Sequence, residues 1–69
     1  MTVMYPRIRN LREDADLSQK DMAEKLKCTQ QAYSNYESGR RDIPTAVLIE
    51  IAQILNASVD YLLGITDKP

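Results

Sequence analysis

Only two residues, Lys27 and Cys28, separate Leu26 from Thr29, and the segments on both sides carry helical periodicity. Before the gap, Ser18 is an N-cap candidate with Asp21 three residues on, and Met22, Ala23 and Leu26 form an apolar stripe. After it, Thr29 is a second N-cap candidate, followed by apolar positions at Ala32, Tyr33 and Tyr36. Gly39 supplies a left-handed residue that can stop this helix. A link this short forces the two helices to cross steeply, and the crossing needs a small residue where the backbones approach. Ala23, on the inner face of the first, meets that need.

The remaining sequence is organised in the same way. Ile8, Leu11 and Ala15 step by three and four, which predicts a helix from about Pro6 to about Asp14, with proline suited to the first turn. Thr45 starts a longer helix to about Leu55, Asn56 can adopt the left-handed conformation, and Ser58 caps a last short helix ending at Gly64. No window alternates with period two long enough to make a strand. The expected fold is all-α, a compact bundle of five short helices in a single domain over residues 1–69. A chain of 69 residues buries only about 60% of its unfolded surface, so its stability should be marginal.

Composition removes several function classes. The chain has no histidine and one cysteine, which rules out His-based acid–base catalysis, His-ligated zinc and an internal disulfide. No apolar run approaches the ~20 residues of a membrane span, and no signal-peptide core opens the chain, so no membrane partner and a cytoplasmic location are expected. Net charge is −1, unhelpful for binding a polyanion, but its distribution is uneven. Residues 1–41 hold eight basic and six acidic side chains; residues 42–69 hold one basic and four acidic. A polyanion should therefore meet the first forty residues.

Two short helices at a steep angle, the second opening Thr29-Gln30-Gln31, have the geometry of DNA-binding helix-turn-helix units. Here the sequence resembles the phage repressor and Cro helix-turn-helix domains. The similarity runs through Leu17-Ser18-Gln19-Lys20-Asp21-Met22-Ala23-Glu24-Lys25-Leu26, then Lys27-Cys28, then Thr29-Gln30-Gln31-Ala32-Tyr33-Ser34-Asn35-Tyr36-Glu37-Ser38-Gly39. It continues through Pro44, Leu48, Ile51, Ala52, Leu55 and the segment from Ser58 to Gly64, covering roughly residues 6–64.

The resemblance implies specific roles. Gln30 and Gln31 would reach base edges from the start of the recognition helix, with Ser34 or Asn35 one turn on. Gln19 would contact phosphate and brace a recognition-helix side chain, and Arg40 and Arg41 would run along phosphates. Arg12 and Glu37 would form an ion pair tying the first helix to the end of the third. Lys27 departs from the pattern, standing where the family favours glycine; a positive φ there costs lysine up to roughly 1–2 kcal/mol relative to glycine.

Each assignment has a plainer competitor. Gln30 and Gln31 alone would be solvated helix formers, yet glutamine can grip adenine bidentately from a recognition helix. Tyr33 and Tyr36 could stack bases, but their spacing favours the core, more clearly for Tyr36. Cys28 is expected as a small buried hydrophobe rather than a redox sensor. The carboxylates at 13, 14 and 16 are expected on a solvated helix end, not in an active site.

The expectation is therefore a non-enzymatic, cofactor-free regulator that binds double-stranded DNA sequence-specifically, most simply a repressor. The alternative is an antitoxin-like or anti-repressor protein-interaction module on the same fold. A homodimer through the C-terminal helices on a palindromic operator is also expected, because Val47 and Ile54 lie beside the stripe of Leu48, Ile51, Ala52 and Leu55 as an extra apolar flank. The competing reading makes that flank part of a wider core stripe against Val59 and Leu62.

Overall fold

The computed structural model describes residues 5–69, so residues 1–4 of the domain expected over 1–69 lie outside the described residues. Residues 5–69 form five helices and no strand: α1 (Pro6–Asp14), α2 (Gln19–Leu26), α3 (Gln30–Ser38), α4 (Thr45–Ile54) and α5 (Val59–Leu63).

Three helix starts are fixed by side chains. Ser18 Oγ accepts the Asp21 N–H at 3.0 Å, and the Asp21 carboxylate accepts the Ser18 N–H at 2.9 Å, a reciprocal capping box on α2. The backbone N–H of Ser18 stabilises the Asp21 carboxylate and holds its pKa below the usual range. Thr29 Oγ1 caps α3 through the Ala32 N–H, and Ser58 Oγ caps α5 through the Tyr61 N–H. Pro6 opens α1 where no N–H is needed. Gly39 ends α3 at φ 81°, a left-handed conformation that is costly for a residue with Cβ.

The core draws on all five helices: Ile8, Met22, Ala23, Tyr33, Ile51, Ala52, Leu55 and Leu62. Ala23 lies buried on α2, the helix that packs most extensively against α3. Leu11, Leu26, Cys28 and Leu48 are half-buried against this cluster. Cys28 is therefore a packing residue at the α2–α3 turn.

Three details differ from the sequence reading. Tyr33 is the aromatic at the centre of the core, 0% exposed, whereas Tyr36 is half-buried. Both lie on the inner side of α3, the helix that packs against α2 and α1, and Tyr33 is the one enclosed in the core cluster. Ala15 is exposed, because α1 ends at Asp14 and the chain turns away there. Val47 and Ile54 are half-buried against the core, so they belong to the wider stripe; among the described residues the large apolar side chains left exposed are Ile49, at 46%, and Ile65.

Lys27 adopts φ 57° and ψ 42° at the end of α2, the conformation that makes lysine costlier than glycine. Its side chain is exposed. Glycine removes that strain but loses more chain entropy on folding, which offsets part of the gain. Lys27→Gly is expected to stabilise the fold by about 0.5–1 kcal/mol, read as a higher urea midpoint at unchanged slope.

Candidate nucleic-acid interface

The outer side of α3 is polar throughout. Gln30 and Gln31 are exposed in its first turn, Ser34 and Asn35 follow one turn later half-buried, and exposed Ser38 continues the stripe. Spacings of one and four residues keep these five on one side, turned away from the buried Tyr33, with Glu37 buried along the edge of the stripe. Gln31 Nε2 donates to Asn35 Oδ1 at 3.1 Å. Beyond Gly39, the Arg41 N–H donates to the Asn35 carbonyl at 3.2 Å, folding the loop back on the helix end. The Arg40 and Arg41 side chains are both exposed there.

Beneath α3 lies the ion pair. Arg12 Nε donates to Glu37 Oε2 at 2.8 Å and Nη2 donates to Oε1 at 2.9 Å, while Nη1 donates to the Leu17 carbonyl at 2.8 Å. Arg12 is 9% and Glu37 7% exposed. This two-point grip ties α1, the α1–α2 turn and the end of α3 together. Gln19, the first residue of α2, adds a hydrogen bond from Nε2 to Glu37 Oε1 at 3.3 Å. Gln19 thus braces an α3 side chain, Glu37 in the last turn, rather than a residue of the polar outer stripe.

Burial by itself would push the Glu37 carboxyl up, but hydrogen bonds from Arg12 and Gln19, with the Tyr33 hydroxyl nearby, hold it below the usual carboxylate range. The hydrogen bond to Glu37 raises the Arg12 pKa in turn. The buried Tyr33 hydroxyl meets no partner in normal hydrogen-bond geometry; burial, and then the neighbouring Glu37 charge, push its pKa up and keep it neutral.

Two of the eight basic residues of the first segment are committed inside the protein. Arg12 serves Glu37. Arg7 reaches from α1 to the C-terminal segment, donating to the Tyr61 and Thr66 carbonyls and to Asp67 Oδ1 at 2.9 Å, with its guanidinium 4.2 Å from the Tyr61 ring centroid. Sequence reasoning did not single out Arg7, because its partners lie 54 to 60 residues away with no pattern linking them. Exposed Lys20, Lys25, Lys27, Arg40 and Arg41 remain on α2, its turn and the loop after α3, and exposed Arg9 lies 3.7 Å from Glu13 on α1. Among the described residues no helix is long and apolar enough to cross a membrane.

A capped α2, a three-residue turn and α3 with a polar outer side, all held on a five-helix core, define a helix-turn-helix protein. Residues 8–62 match the helix-turn-helix family, and the chain belongs to it. It is similar to the transcriptional regulator ImmR of Bacillus subtilis, with 41% identity over 58 residues, covering 84% of this chain and 46% of that protein. Its fold is similar to the P22 c2 repressor in complex with a synthetic operator, at 25% identity, TM-score 0.79 and coverage of 91% and 96% of the two chains. SinR of Bacillus subtilis in complex with DNA is also similar, at 26% identity, TM-score 0.76 and coverage of 88% and 98%. The chain spans about half the length of the curated relatives it matches.

Proposed function

We propose that this chain is a cofactor-free, non-catalytic DNA-binding module of a transcriptional regulator, acting in the cytoplasm as a repressor and folding as one domain over residues 1–69. In this reading α3 enters the major groove, where Gln30, Gln31 and Ser34 face base edges and Asn35 stands beside them, hydrogen-bonded to Gln31. Gln19, the α2 N-terminus, Arg40 and Arg41 meet phosphates on either side. The observation that carries it is the polar outer side of α3, whose orientation is set by the buried Arg12–Glu37 grip behind it. Its relatives' descriptions as transcriptional regulators and DNA-bound repressors support the same reading.

A two-fold dimer on a palindromic operator belongs to this proposal. One recognition helix reads few base pairs, whereas two related by symmetry read half-sites about 34 Å apart. Exposed Ile49 and Ile65 replace Val47 and Ile54 as the apolar candidates for a C-terminal seam.

Selection of bound sequences from a random duplex pool, followed by sedimentation on the selected site, tests the whole proposal. A palindromic site holding two protomers is expected; absence of duplex binding at low salt would favour the protein-interaction module instead. Arg40→Ala and Arg41→Ala are each expected to weaken all sequences similarly and to flatten the plot of log affinity against log salt by roughly one unit. Loss confined to one base position would remove these arginines from the phosphate role.

A further inference from the structure

The outer side of α3 contains a directional contact within itself. Gln31 donates to Asn35 across one helical turn, and not the reverse. We infer that Asn35 is a positioning residue that makes Gln31 selective for adenine over guanine. The inference rests on the reading above, in which α3 lies in the major groove.

A primary amide carries two N–H donors and a carbonyl acceptor. With one N–H given to Asn35, Gln31 shows outward one N–H beside its carbonyl oxygen. Adenine presents the complement of that pair in the major groove, an N7 acceptor next to an N6 amino donor. Guanine presents two acceptors, N7 and O6. Gripping guanine bidentately requires both Gln31 N–H groups, so the bond to Asn35 has to break. In the anchored orientation the Gln31 carbonyl faces O6 and is repelled. A glutamine without an anchor turns its amide freely and serves either base. The polarity of the bond matters as well: a donor at Asn35 and an acceptor at Gln31 would leave both Gln31 N–H groups free and favour guanine.

The test is competition binding on the site selected by the wild-type protein, with adenine or guanine at the position that Gln31→Ala relaxes. Wild type is expected to prefer adenine by about tenfold, and Asn35→Ala to reduce the preference to about threefold or less. Asn35→Asp keeps an oxygen acceptor for Gln31; it binds every site more weakly, because of its charge, yet retains the adenine preference. An unchanged preference in Asn35→Ala, or a guanine preference in wild type, overturns the inference. Relaxation at a different base in Asn35→Ala also overturns it, because Asn35 is then a direct contact. Failure of the underlying reading has a separate signature, no selected site or no position relaxed by Gln31→Ala, and removes both.

Discussion

Glu37→Gln is expected to destabilise the protein by about 3 kcal/mol at neutral pH, because it leaves the buried Arg12 guanidinium without its counter-charge. The cost exceeds that of a surface ion pair because water cannot replace the lost carboxylate at a site this buried. Total stability for a chain of 69 residues is on the order of 3–10 kcal/mol, so the variant should be close to unfolding. The melting temperature should fall by more than about 10 °C. Melting at the wild-type temperature would show that the grip contributes nothing. Replacing both partners with apolar residues, Arg12→Met with Glu37→Leu, should recover much of the loss, since neither charge is then stranded.

The same carboxylate sets an acid limit. Its pKa in the folded state lies below the ordinary value near 4.3 that it has in the unfolded chain. Between the two, the unfolded state binds more protons, so the contribution of Glu37 is fully present above about pH 5 and is lost as pH falls through its folded value. Asp21 acts in the same direction. Wild type should therefore lose more stability between pH 7 and pH 3 than Glu37→Gln loses. Equal slopes would mean that the Glu37 pKa is not depressed.

On the selected DNA site, Gln30→Ala or Gln31→Ala is expected to cost about 1–3 kcal/mol of binding and to relax one base position per half-site. Both side chains are exposed and neither packs in the core, so stability should be unchanged. The measurement is affinity on the selected site against affinity on unrelated duplex. A specific loss leaves the second untouched, unlike the uniform loss expected for Arg40→Ala. Wild-type affinity in both glutamine variants would remove α3 from the recognition role.

The physical origin of these effects also explains what could be read from the chain. Caps and turns are local, decided by residues within four positions of one another. Ser18 with Asp21, Thr29, Gly39, Asn56 and Ser58 could therefore be recognised directly, and with them the five-helix order and the tight α2–α3 link. The outward glutamines were legible for the same reason, since helical periodicity separates the two sides of α3. The Arg12–Glu37 pairing came from family resemblance, because 25 residues separate the partners and no local pattern joins them.

Only the packed molecule decided the rest. The choice of Tyr33 over Tyr36 for the core depends on where α1 and α2 cross α3, and both positions satisfy the helical period equally well. Val47 and Ile54 lie half-buried against the core and Ile49 is left exposed because of how α4 packs on α2 and α5. The Arg7 contacts with Tyr61, Thr66 and Asp67, like the meeting of Gln19 with Glu37, exist because the chain closes on itself. Sequence thus determined what each segment is and which side it turns outward, since those follow from short-range backbone hydrogen bonding and apolar spacing. Tertiary structure decided which charges are spent internally and which stay free for a partner, because burial and charge pairing depend on distances set only when distant segments pack.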